Sequence, residues 1–197
     1  MTNEEIDKLC NRYDITNYTI NNGVVDVDGS VQLFGKRFTE LPLKFGSVTG
    51  NFDCSDISLT TLEGSPHTVG GGFLCYMNKL TSLEHSPVKV GENFDVERNQ
   101  ITSLIGCPKS IGDEFIIEQN NITCLDDLPN HLGGRFHCSV NPIGSIFDNI
   151  QLDFLEVFKM YKVIKDNQVN LKRLKYVMGL FDKNIRLESI KRNYTII

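Results

Sequence analysis

Hydrophobic positions recur along this chain every 21 residues, a period far longer than that of a helix or a strand. The clearest unit reads Phe73-x-Cys75-x-x-Asn78-x-Leu80-Thr81-x-Leu83-x-x-x-Pro87-x-x-Val90-Gly91. One unit earlier the same register holds Phe52, Cys54, Leu59, Leu62, Pro66 and Val69. One unit later it holds Phe94, Asn99, Ile101, Leu104, Pro108 and Ile111, and then Phe115, Asn120, Ile122, Leu125, Pro129 and Leu132. A last round gives Phe136, Cys138, Asn141, Ile143 and Ile146, and a degenerate first one gives Val31, Leu33, Phe38 and Leu41, about six coils in all. So short a unit cannot bury its apolar residues alone, so neighbours must stack into a solenoid.

Side chains alternate along a strand. In Phe73-Leu74-Cys75-Tyr76, Phe73 and Cys75 therefore face inward, and Leu74 and Tyr76 face outward. Stacking turns Phe52, Phe73, Phe94, Phe115 and Phe136 into an inward aromatic column with rings packed edge-to-face or offset. Asn78, Asn99, Asn120 and Asn141 follow each strand, where the main chain turns inward and loses its ladder partners. An Asn amide supplies both the donor and the acceptor that such a buried turn needs. The column lapses at Lys36 and Ile57, so the first coils must close that turn differently. Pro66, Pro87, Pro108 and Pro129, with glycine runs such as Gly70-Gly71-Gly72, argue against an α-helix on the other side of each coil. Extended or short 3₁₀ segments are expected there.

A repeat of this length and apolar spacing is the signature of a leucine-rich repeat, with a parallel β-sheet and a helix-light convex side. The predicted organisation is an N-terminal cap over 1–29, a solenoid over 30–146 and a helical cap over 147–197. Thr2-Asn3-Glu4-Glu5 reads as a capping box, and Ile6, Leu9, Cys10 and Tyr13 follow at helical spacing. Tyr18-Thr19-Ile20 and Val24 to Val27 read as strands, and Asp28-Gly29 as a hairpin turn into Ser30 to Leu33. After Ile146 the period becomes helical. Ile150, Phe154, Val157, Phe158 and Tyr161 mark one helix. Leu171, Leu174, Val177, Met178 and Phe181 mark a second, capped by Asn170. Tyr194 to Ile197 has strand-like composition.

Charge divides the chain. Residues 1–143 carry a net −9 and residues 144–197 a net +4, within an overall −5. No apolar run reaches the roughly 18 residues of a membrane span, and Met1 to Asn11 is too polar and acidic for a signal peptide. Cys54, Cys75 and Cys138 fill inward strand positions as small core residues. Together with Cys10, Cys107 and Cys124 they do not form a disulfide framework, which fits a reduced cytoplasm.

Candidate chemistry is sparse. His67, His85, His131 and His137 occupy four different registers, and the stacked Cys54 and Cys75 lack further zinc ligands. Cys138 points inward while His137 points outward, so they do not make a nucleophile and its base. Gly70-Gly71-Gly72 lacks the helix that a phosphate loop precedes. Neither catalysis nor a cofactor is expected. The outward strand positions are Gln32 and Phe34, Asp53 and Ser55, Leu74 and Tyr76, Asp95 and Glu97, Ile116 and Glu118, then His137 and Ser139. Apolar Phe34, Leu74, Tyr76 and Ile116 stand among the carboxylates Asp53, Asp95, Glu97 and Glu118, with Arg98 and Arg135 at the edges. Aromatic residues rimmed by charge suit a protein partner on a concave face, preferably a basic one. A nucleic-acid contact through Lys159, Lys162, Lys165, Lys172, Arg173 and Lys175 is disfavoured by the acidic balance and the lack of basic–aromatic interleaving. A structural, virion-associated or self-assembling role is the remaining alternative.

Leu-Pro-Leu-Lys-Phe-Gly (41–46), Gly-Asn-Phe-Asp-Cys-Ser (50–55), Asn-Lys-Leu-Thr-Ser-Leu-Glu (78–84) and Ser-Val-Asn-Pro-Ile (139–143) resemble the leucine-rich repeat proteins of tailed bacteriophages. The resemblance covers roughly residues 17–146. It implies a non-enzymatic binding scaffold in an infected bacterial cytoplasm, engaging a host or phage protein.

Overall fold

The computed structural model describes residues 1–35, 37–146, 160, 162–165, 168–180 and 187–197. The chain winds as a parallel β-solenoid with two ladders, one on each side of a shared core. The Phe ladder runs Val31–Gln32, Phe52–Asp53, Phe73–Leu74, Phe94–Asp95, Phe115–Ile116 and Phe136–His137, every neighbouring pair parallel. The Val ladder runs Val24–Val27, Phe45–Val48, Thr68–Val69, Lys89–Val90, Ser110–Ile111 and His131–Leu132. Register advances by 21 residues per rung, as Phe52↔Phe73 and Val69↔Val90 show. The side expected to be extended is thus itself a second parallel sheet.

The core follows from the alternation. Phe52, Phe73, Phe94, Phe115 and Phe136 are fully buried in one continuous column. Ring centroids are 5.6 and 5.4 Å apart between Phe52, Phe73 and Phe94, with interplanar angles of 5° and 16°. Towards the C-terminal end the angles open to 60° and 52°. Removing each such ring from water stabilises the fold by roughly 1.5–3 kcal/mol. Cys54, Cys75 and Cys138 lie fully buried in the next inward column, and burial pushes the Cys54 thiol well above its usual pKa. Among the described residues no disulfide forms.

Between the ladders the chain turns a sharp corner, and glycine is sterically required there. A Cβ on Gly91 would lie 1.9 Å from the carbonyl oxygen of Gly70, and one on Gly112 would lie 1.9 Å from that of Gly91. Hydrogen bonds continue round the corner, Gly91 N–H to Val69 C=O at 2.9 Å and Gly112 N–H to Val90 C=O at 3.0 Å. Gly70-Gly71-Gly72 therefore belongs to this corner.

The expected hairpin at Asp28-Gly29 is corrected. The hairpin joins Tyr18–Asn21 to Val24–Val27 through Asn22 and Gly23, both at positive φ (52° and 78°), the geometry of a type I′ turn. Asp28-Gly29 instead occupies the corner that Thr49-Gly50 and Gly70-Gly71 occupy in later coils. The strands on its two sides belong to different sheets. Their partners lie a full coil away, which overrides the local turn chemistry.

At the N-terminal end Asn3–Arg12 forms the expected helix. Thr2 and Glu5 complete a reciprocal capping box, and Ile6 and Cys10 are buried. At the other end Leu171–Leu180 is helical, with Leu174, Val177 and Met178 buried and Asn170 accepting the Arg173 N–H at 3.0 Å. Leu187–Asn193 forms a further helix, and Thr195–Ile196 joins a small sheet with Gln168–Val169 and Ile164–Lys165. The Tyr194 hydroxyl donates to the Thr123 carbonyl at 2.7 Å, tying this region to the solenoid. The helix expected across Ile150, Phe154, Val157, Phe158 and Tyr161 lies outside the described residues, as do Lys36, Lys159 and Phe181. Among the described residues no helix is long and apolar enough to cross a membrane.

Candidate functional site

The outer face of the Phe ladder carries two columns of side chains. The first is Gln32, Asp53, Leu74, Asp95, Ile116 and His137, aligned by strand register. The second is Phe34, Ser55, Tyr76, Glu97, Glu118 and Ser139. Main-chain pairing carries on through it, with Met77 N–H donating to Glu97 C=O at 2.9 Å and Arg98 N–H to Glu118 C=O at 3.0 Å. The fold thus gathers the predicted contact residues Asp53, Leu74, Tyr76, Asp95, Glu97, Ile116, Glu118 and His137 into one half-buried surface. Phe34 stands at its N-terminal end and is 58% exposed.

Ser55 departs from the outward pattern. Only 2% of it is exposed, because its hydroxyl and its N–H both turn back onto Asp53 Oδ1. A short carboxylate can accept the backbone N–H two residues on, and here Asp53 holds the Ser55 hydroxyl as well.

The acids are not equivalent. Glu97 lies 3.3 Å from the Arg98 guanidinium and accepts the Gln119 amide at 2.9 Å. Arg98 in turn donates to Gln119 Oε1 at 3.2 Å. Glu118 accepts the Ser139 hydroxyl. Asp95 stands between Leu74 and Ile116 in its column and accepts the Glu97 N–H at 2.9 Å. Among the described residues it has no ion pair. Burial, reinforced by the nearby charges of Glu97 and Glu118, pushes its pKa up to about 6. His137 Nε2 is 3.3 Å from Glu114 Oε1 in an alignment too poor for a hydrogen bond.

Sequence reasoning overlooked Gln119, which bridges Glu97 and Arg98. Its position just before the Asn column was a signal, because that position points outward in every coil. The backbone there is left-handed throughout: Gly35, Asp56, Met77, Arg98, Gln119 and Val140 have φ of 72°, 50°, 57°, 52°, 53° and 54°. Cys138 is fully buried while His137 lies on the outer face. Among the described residues no group of three or more His, Cys, Asp or Glu side chains is placed to hold a metal ion.

Compared with known proteins, the chain matches no family model, no curated protein and no solved structure.

Proposed function

We propose that this chain is a protein-binding scaffold of leucine-rich repeat type, not an enzyme, and that it grips its partner with the outer face of the Phe ladder. The reading rests on Asp95. A carboxylate flanked by Leu74 and Ile116, crowded by two other acids and, among the described residues, without an ion pair, is held at an energetic disadvantage in the isolated chain. A Lys or Arg from a partner relieves that disadvantage, its stem lying on the aliphatic neighbours and its charge on the acids. Tyr76 supplies an aromatic anchor beside them. The partner is accordingly a protein with an exposed basic side chain. The resemblance to tailed-phage repeat proteins implies an encounter in an infected bacterial cytoplasm.

The test is capture from infected or expressing cells with the immobilised chain, read by mass spectrometry. The double variant Tyr76→Ala, Glu97→Lys is expected to lose the captured protein while keeping a native circular dichroism spectrum. If the folded double variant retains the same protein, the face is not the contact surface.

A further inference from the structure

Along the outer face of the Phe ladder, the first column changes character from rung to rung. It runs Asp53, Leu74, Asp95, Ile116, set side by side by strand register. All four are half-buried. Beside Leu74 the same rung presents Tyr76 and the exposed Met77, so one wholly apolar rung lies between two that carry acids. Among the described residues neither Asp53 nor Asp95 is in an ion pair.

Rungs of a parallel sheet stand about 4.8 Å apart, so acid and apolar residue alternate at that interval along the solenoid axis. A partner segment lying on the axis must offer basic and apolar side chains at the same interval on one face. An α-helix does so. Its first, fourth, eighth and eleventh residues share one side, and at about 1.5 Å rise per residue they meet the four rungs to within about 1 Å. An extended strand on the same path repeats one face about every 6.7 Å and slips roughly 2 Å per rung. A polyproline II segment repeats about every 9.3 Å, which meets the acids and leaves Leu74 and Ile116 without a counterpart.

We propose that the partner's contact segment is an amphipathic α-helix lying along the column from Asp53 to Ile116, with basic and apolar residues alternating every three or four positions on one face. Its Lys or Arg heads reach Asp53 and Asp95, and its apolar side chains cover Leu74 and Ile116. Tyr76 and Met77 widen the apolar contact at the middle of the helix. Such a helix presupposes the partner-binding reading of this face and specifies the segment that fills it.

The probe is a labelled synthetic peptide of about 18 residues, long enough to be helical, with the pattern Lys-x-x-Leu-x-x-x-Lys-x-x-Leu in an alanine and glutamine background. Fluorescence anisotropy measures its binding to the full chain at physiological salt. Two controls keep its charge: a permuted peptide with lysine and leucine at the two-residue spacing of a strand, and the same peptide with a central proline that breaks the helix. Both are expected to bind roughly tenfold more weakly or worse. Asp95→Lys is expected to weaken the helical peptide to a similar degree, and exchanging one of the peptide's lysines for glutamate to restore it. A control peptide that binds as tightly as the helical one overturns the proposal. So does a helical peptide that fails to bind, or one that folded Asp95→Lys binds undiminished. Should Asp95→Lys fail to fold, Asp53→Lys decides by the same charge exchange. If the peptides reject the helix while Tyr76→Ala, Glu97→Lys still loses the captured protein, the face remains the contact surface and only its helical occupant is wrong.

Discussion

The Oδ1 of Asn99 accepts the backbone N–H of Leu80 at 2.9 Å, across the boundary between two coils. Its Nδ2 donates to Cys75 C=O at 3.0 Å in that preceding coil and to Val96 C=O at 3.1 Å in its own. Asn78, Asn120 and Asn141 repeat the arrangement. Each amide is thus a staple between coils as well as a turn filler. Ile57, which lacks an Asn, has its N–H satisfied by Asn78 of the next coil at 3.2 Å.

Asn99→Ala leaves the Leu80 N–H without its partner, and the Cys75 carbonyl with only the Asn78 amide, in a site only 8% exposed. A loss of about 1–3 kcal/mol is expected, the range for an unsatisfied buried group. Chemical denaturation measures it, and an unchanged midpoint would contradict the stapling role.

Two glycines should respond in opposite directions to the same change. Gly91→Ala drives a methyl into the Gly70 carbonyl, 1.9 Å away in main chain that cannot swing aside. It should destabilise the fold by roughly 3 kcal/mol or more, as overpacking against rigid backbone does. Gly179 lies in the helix Leu171–Leu180 with nothing within 4 Å of an added Cβ. Gly179→Ala should therefore stabilise by about 0.5–1 kcal/mol. Melting midpoints of the pair check both signs.

Val140 is β-branched, 74% exposed and held at φ 54°. The first coil places Gly35 at the same station. Left-handed backbone costs a residue with a Cβ about 1–2 kcal/mol, partly offset by the freedom glycine regains on unfolding. Val140→Gly should accordingly raise stability by about 1 kcal/mol or somewhat less. A lowered melting point would show that the valine side chain contributes more than its backbone strain costs.

Asp95 makes stability depend on pH. Its pKa of about 6 in the fold lies above the ordinary aspartate value of 3.8, so between these values the native state holds more protons than the unfolded one. Stability from this group is present below the unfolded pKa and is lost as pH rises through about 4 to 6. Asp95→Asn keeps an acceptor for the Glu97 N–H without the charge. It should be more stable than wild type at pH 7, by on the order of 2 kcal/mol, and lose that advantage below about pH 4. Urea titrations at several pH values test this, and a pH-independent difference would locate the effect elsewhere.

Much of the fold was legible because a 21-residue period admits few solutions. Phe at one station and Cys, Val or Ile two residues later specify an inward strand face. The Asn column marks the turn, and Thr2 with Glu5 marks the first helix. The corner at Asp28-Gly29 was not legible, because its chemistry is locally that of a hairpin and only the pairing of Val25 with Phe45 and Val31 with Phe52 assigns its strands to two sheets. The second sheet was equally hidden, since Pro66, Pro87, Pro108 and Pro129 and the glycines beside its two-residue strands read locally as irregular chain.

Repetition alone therefore determined that the chain stacks, which residues line its core and which stand outward, since each follows from spacing along the backbone. Tertiary structure decided what the outward residues experience. The loss of water around Asp95 and the bridge through Gln119 both depend on neighbours a full coil away. No local pattern encodes those distances.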